Sequence, residues 1–160
     1  MAPETVDFVD AADRPAGRGP RGGAAGLGLY YRVAATVCDD PQGRVLVYRR
    51  PARAAVLPGH YDVLIGGSVR AGESYLAAAA RELAEELGIG PPLREVFRTR
   101  HDSPAGPCWL AVHRARLTGP VRPDPDEIAW CDLVPARDVL DGLLHPFVPA
   151  GRQALERILA

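Results

Sequence analysis

With 160 residues, 47% of them apolar and 24% charged, the chain can bury about two-thirds of its unfolded surface in one globular domain without a disulfide or metal staple. No apolar run approaches the roughly 18 residues of a membrane span, and a formal net charge of -1 without a long basic block excludes bulk nucleic acid as an electrostatic partner. All 19 cationic side chains are arginine, so Schiff-base chemistry and a P-loop lysine are excluded too.

The N-terminal stretch Met1–Asp10 carries acids at Glu4, Asp7 and Asp10 in place of a basic segment and an apolar core, so no secretory signal is expected. Residues 1–28 read as a short strand around Phe8 and Val9 followed by a glycine- and proline-rich flexible connection, Pro15–Gly28, within the same domain as the main body, 29–160. Tyr30–Val37 and Arg44–Arg49 are β-favouring runs on either side of a turn at Pro41 and Gly43, which predicts a hairpin. A shorter extended run follows at Tyr61–Ile65, then the glycines Gly66 and Gly67 and a loop to Glu73.

Ser74 is a good N-cap for a helix reaching Leu87, and Gly88 stands where a left-handed residue ends one. Glu95–Arg100, Trp109–Leu117 and Ile128–Leu133 read as strands, and Ala136–Leu140 and Ala150–Leu159 as short helices. Strands, helix, strands, helices is the order of an α+β fold, an α/β/α sandwich on a mixed β-sheet. Cys38, Cys108 and Cys131 are odd in number and widely spaced, which suggests neither a disulfide framework nor a zinc site and fits a reducing cytoplasm.

The helix from Ser74 to Leu87 carries the chemistry. At 100° per residue with Glu82 at zero, Glu85 falls at about 300° and Glu86 at about 40°, while Leu76, Ala80, Leu83 and Leu87 lie at about 100–160°. This predicts an apolar stripe on the core and the acids on a separate face. The pairs Glu82–Glu85 and Glu82–Glu86 are like-charged at i,i+3 and i,i+4, each destabilising by about 0.2–0.5 kcal/mol. Glu85 and Glu86 also sit at the negative end of the helix dipole. A face built for solvation would alternate signs; bound Mg²⁺ or Mn²⁺, which favour carboxylate oxygens, would reverse both penalties.

Gly67, Glu73, Arg81, Glu82, Leu83, Glu85, Glu86, Gly88 and Ile89 match the Nudix box, G-x5-E-x7-R-E-U-x-E-E-x-G-U with U a bulky aliphatic, at every fixed position. A chance match has odds on the order of one in a million. Over most of the chain, including DFVDAADRPAGR, LPGHYDVLIGG, DEIAW and HPFVPAG, the sequence resembles the Nudix subgroup related to isopentenyl diphosphate isomerase. The resemblance implies hydrolysis of a nucleoside diphosphate linked to another moiety, with Mg²⁺ or Mn²⁺. Glu82, Glu85 and Glu86 would be the metal-binding carboxylates, with Glu82 favoured as general base. Arg81 would orient them, Glu73 would brace the helix start, and Gly67 and Gly88 would be structural.

Arg49 and Arg50 are candidates for phosphate contacts and Glu127 for a further ligand or base, each weighed against a solvated surface residue. Tyr31, Tyr61 and Trp109 are expected in the core rather than stacked on a base. Two other readings follow from the family. An isomerase would need a cysteine in the YDVLIGG stretch, which has none, and a non-catalytic nucleotide sensor would not need the full carboxylate set. A homodimer is expected only by analogy with the fold.

Overall fold

The computed structural model describes residues 4–160; residues 1–3 of the acidic N-terminal stretch lie outside the described residues. The centre of the sheet is β3 (Tyr31–Asp39), buried on both faces as a near-continuous apolar run requires. It pairs in parallel with β8 (Gly106–Arg116) along its whole length, from Tyr31 opposite Cys108 to Asp39 opposite Arg116. β7 (Arg94–Ser103) closes that side antiparallel to β8.

On the other side the sheet divides. The turn after β3 forms as the sequence predicts, with the Asp40 carboxylate accepting the Gln42 and Arg44 amides at 3.0 and 2.9 Å and Gly43 at φ +77°. The hairpin, however, pairs through Asp39 and Val45 alone. Beyond that point β3 pairs with β6 (Ile65–Ser68), while β4 (Arg44–Arg49) turns to β5 (Tyr61–Asp62) and β9 (Trp130–Pro135). One extended run, Tyr61–Ile65, thus feeds both branches. The Tyr48 hydroxyl spans the divergence, donating to the Leu64 carbonyl at 2.6 Å and to Asp62 Oδ2 at 3.2 Å.

Strand alternation assigns the two faces. Cys38, Leu46, Tyr48, Ile65 and Ala115 pack with Leu83 and Leu87 of α1 (Tyr75–Leu87). Ala35, Val37, Val45, Val47 and Val112 pack on the opposite face with Val139 of α2 (Ala136–Leu140) and Ala154 and Leu155 of α3 (Pro149–Leu159). The result is the expected α+β sandwich with a mixed sheet. Gly66 lies where β6 crosses β3, and a Cβ there would run into the Ala34 carbonyl. Gly66→Ala is expected to lower stability by about 2–3 kcal/mol in urea unfolding, since backbone cannot step aside as a side-chain tip can.

The stretch expected as a flexible connection is ordered structure. Pro15–Pro20 forms β2, antiparallel to β1 (Thr5–Val9), and short 3-10 turns follow at Arg21–Gly23 and Ala25–Leu27. Its glycines make room for a ring: Cβ atoms on Gly19 and Gly23 would lie 3.1 and 3.3 Å from a ring carbon of the buried Phe8. The last predicted strand begins two residues late, at Trp130, because the Ile128 amide is still engaged in the preceding turn, donating to the Asp124 carbonyl at 2.9 Å.

Candidate active site

Helix α1 is capped as its sequence dictates: Ser74 Oγ accepts the Ala77 amide at 3.1 Å, and Gly88 ends the helix at φ +65°. Its buried face is not the predicted stripe. Tyr75, Ala78, Ala79, Leu83 and Leu87 are buried, whereas Leu76 is 52% exposed and Ala80 is exposed. At 100° per residue these buried positions span about 320° through 140°, a sector that contains Glu82 and Glu86. The helix rolls this way because Ala78 and Ala79 allow close approach to Ala34 and Ala111 of the sheet. Tyr75 docks at the start of the helix, its hydroxyl donating to the Asp13 carboxylate at 3.0 Å. Two of the three acids therefore face the sheet and only Glu85, half exposed, faces out.

Burial governs their electrostatics. It pushes the Glu86 carboxyl up to about 8, with Glu82, Glu127 and Glu85 adding repulsion and Arg50 opposing it. Glu86 Oε2 is buried and has no hydrogen-bond partner. Burial also raises the Glu82 carboxyl above its ordinary value, although Arg81 works against it. Two other buried side-chain atoms are unpartnered among the described residues, Thr36 Oγ1 and His113 Nε2, at paired positions of β3 and β8. Neither belongs to a carboxylate.

Arg81 is the hub of the site. Its Nε and Nη2 donate to the two Glu73 oxygens at 2.8 and 3.0 Å, its Nη1 to Glu82 at 3.0 Å and Glu85 at 3.5 Å, and its Nη2 to the Ser68 carbonyl at 3.1 Å. Those hydrogen bonds hold the Glu73 carboxyl below the usual range. Glu73 is further fixed by the Arg70 amide at 2.9 Å. It thus anchors the arginine that positions the carboxylates, in addition to standing at the helix start.

Gly67 owes its place to Glu82: a Cβ there would stand 2.6 Å from Glu82 Oε1. Gly67→Ala is expected to fold, because the end of a side chain can yield, but to displace Glu82 and lower turnover on the order of a hundredfold. Retention of wild-type kcat in that variant would show that the Glu82 position is not critical.

The other sequence candidates separate. Arg50 acts electrostatically on Glu86, Tyr48 and Asp62, and with Arg53, Asp126 and Glu127 it lines a cavity of about 290 Å³. Glu127 acts on Glu86 from the loop above. Arg49 points to the opposite face, its guanidinium 5.6 Å from the Tyr61 ring and donating to the Gly59 carbonyl at 3.1 Å, so it does not join the carboxylates. Tyr31 is buried as expected. Tyr61 and Trp109 are half-buried, Tyr61 edge-on to Trp130 and Trp109 donating to the Asp10 carbonyl at 3.1 Å. Sequence reasoning missed Arg70, the Ser68 carbonyl and the Tyr48–Asp62 pair, whose carboxyl burial pushes up to about 6. Only the fold brings these to the site, and none occupies a fixed letter of the box.

The donor set fits a hard divalent cation: several carboxylates, one with a buried oxygen that no proton donor satisfies. Among the described residues no three metal-ligating side chains already converge on one point; Glu82 and Glu85 both pair with Arg81.

Known proteins share this architecture. The NUDIX domain family model matches residues 29–158. A Nudix hydrolase of Streptomyces coelicolor is 43% identical over 164 residues, covering 99% of this chain and 90% of its own. A Deinococcus radiodurans crystal structure superposes with a TM-score of 0.80 at 23% identity, over 96% of this chain and 98% of that one. The NUDIX domain of Shewanella oneidensis NrtR, solved in complex with ADP ribose, does so with a TM-score of 0.67 at 19% identity, over 81% of this chain and 86% of that one. No helix among the described residues is long and apolar enough to cross a membrane. The box, the sandwich that presents it and a family match over most of the length agree, and the chain belongs to the Nudix hydrolase family.

Proposed function

We propose that the protein is a metal-dependent pyrophosphohydrolase that cleaves a nucleoside diphosphate linked to another moiety. The observation that carries this reading is Glu86, a carboxylate buried among other carboxylates with one oxygen unpartnered. A site of this kind is stabilised by a cation and is disfavoured without one. Glu82, Glu85 and Glu86 would hold Mg²⁺ or Mn²⁺, with Glu127 as a further ligand. When bound, the cation neutralises phosphate charge and acidifies water.

The chain's own residues supply the rest. Glu82, raised by burial, accepts the proton of the attacking water. Arg50 meets the substrate's phosphate oxygens through its planar fork. Arg81, anchored by Glu73, keeps Glu82 and Glu85 within reach of one point. The ADP ribose bound by the Shewanella NUDIX domain is a nucleoside diphosphate linked to a sugar, and supports this substrate class.

Hydrolysis is favoured over isomerisation because no cysteine lies on β5 or β6, and Cys38 and Cys108 are buried thiols pushed up to about 12. The test is a panel of ADP-ribose, nucleotide sugars and dinucleoside polyphosphates with Mg²⁺ or Mn²⁺, followed by ³¹P NMR. New phosphomonoester signals are expected. Isomerisation of isopentenyl diphosphate without such signals, or tight nucleotide binding without turnover, would overturn the proposal.

A further inference from the structure

The loop between β6 and α1 carries Glu73, yet its own packing is slight. Val69 is buried, but Arg70 and Gly72 are exposed, and Gly72 sits at φ +80°. A loop with so little apolar anchorage is positioned by its hydrogen bonds. Three of these go to the N-terminal segment. The Ala71 amide donates to the Thr5 carbonyl at 3.0 Å, the Gly72 amide to Asp7 Oδ2 at 2.9 Å, and Arg70 Nε to Glu4 Oε1 at 2.7 Å.

Asp7 is itself fixed: its side chain is 17% exposed and its other oxygen accepts from Arg18 Nε of β2 at 2.8 Å. The hairpin is tied down at its other end by Asp13. That carboxylate accepts from Arg32 at 2.8 Å, from Arg98 at 2.8 Å and from the Tyr75 hydroxyl. The hairpin residues that make these contacts, from Glu4 to Arg18, precede the segment matched by the family model.

We propose that the β1–β2 hairpin is a brace for the carboxylate site, and that Asp7 is a positioning residue for Glu73, acting through the Gly72 amide. The chain of contact is continuous: Asp7 to Gly72, the neighbouring Glu73 to Arg81, and Arg81 to Glu82 and Glu85. Loss of the first link lets the loop drift, and the guanidinium with it. Substrate binding through Arg50 and the Glu127 loop is left alone, because neither touches the hairpin. This inference rests on the hydrolase reading for its catalytic consequence, but not for its mechanical one.

Three variants of the full-length protein test it: Asp7→Ala, Asp7→Asn, which keeps an oxygen for the Gly72 amide, and Arg18→Gln, which removes only the ion pair. Amide hydrogen exchange in peptides spanning 69–74, Mn²⁺ affinity and the separate values of kcat and KM are measured on each. In Asp7→Ala, exchange in 69–74 should accelerate, Mn²⁺ should bind more weakly, and kcat should fall on the order of tenfold with KM changed less than about twofold. Asp7→Asn should recover most of kcat, and Arg18→Gln, which loosens Asp7 but leaves its carboxylate to accept the Gly72 amide, should lose less than Asp7→Ala. Unchanged exchange in Asp7→Ala would overturn the brace. Faster exchange with unchanged kcat and Mn²⁺ affinity, or losses in all three variants that simply track thermal stability, would overturn the positioning role. A wild-type protein that neither binds Mn²⁺ nor hydrolyses any diphosphate would sink the hydrolase reading and the positioning role with it, while the exchange data still decide whether the brace exists.

Discussion

Glu86→Gln is expected to reduce turnover by about three orders of magnitude while leaving the fold intact, and to make the metal-free protein more stable at pH 8. Both effects follow from one carboxyl held at about 8 by burial and by its acidic neighbours, against an ordinary value of 4.5. Below about pH 4.5 the group is neutral in the folded and the unfolded chain alike. Between about 4.5 and 8 the folded chain retains a proton that the unfolded chain has released, so metal-free stability declines as pH rises through that window. Glutamine is neutral throughout and escapes the decline. The variant should therefore match the wild type near pH 4.5 and exceed it at pH 8 by on the order of a few kcal/mol, measured by urea unfolding in the presence of a chelator. A cation must displace the same proton, so the Mn²⁺ affinity of the wild type should rise as pH approaches 8. Equal wild-type and variant stability across the whole range would mean that the Glu86 environment is not desolvated.

Arg81→Gln should lower stability by about 3–5 kcal/mol. The guanidinium is 17% exposed and serves Glu73, Glu82, Glu85 and the Ser68 carbonyl together. Its removal leaves two carboxylates with side chains only 18% and 14% exposed, Glu73 and Glu82, without their counter-ion. Lysine would restore charge but not the paired donors that hold Glu73 from two sides, so Arg81→Lys should recover only part of the loss. The contrast is Arg53→Gln, which breaks an ion pair with Asp126 whose side chains are 70% and 83% exposed and should cost less than about 1 kcal/mol. If Arg81→Gln proved as mild as Arg53→Gln, the hub role would be wrong.

The layers of the fold and the identity of the carboxylate helix were legible in the sequence because they depend on local signals. Ser74 and Gly88 bound α1 as their side-chain and backbone chemistry demands, and the β-favouring run Tyr30–Val37 marks the strand that becomes β3. Where the helix would face was not legible. Counting leucines singled out Leu76, but small residues and a docked tyrosine outweigh one leucine, and this roll carries Glu82 and Glu86 inward. Hydrophobic periodicity carries no information on how closely a helix approaches a sheet.

The N-terminal glycines misled for a related reason. Glycine reports only that a side chain is missing, and at Gly19 and Gly23 it is missing to admit the Phe8 ring. Arg49 and Arg50 looked equivalent as adjacent cations; strand alternation sends them to opposite faces and leaves only Arg50 near Glu86. The divided sheet, with β4 leaving β3 after one pair, depends on contacts more than twenty residues apart and has no local signature.

The most direct test is anomalous diffraction at the manganese edge from crystals grown with Mn²⁺ and a non-hydrolysable ADP-ribose analogue. A manganese peak beside Glu82 and Glu86, with the diphosphate next to it and Arg50 on its oxygens, is the predicted result. A fully bound diphosphate elsewhere on the molecule, with no manganese beside Glu86, would contradict the account.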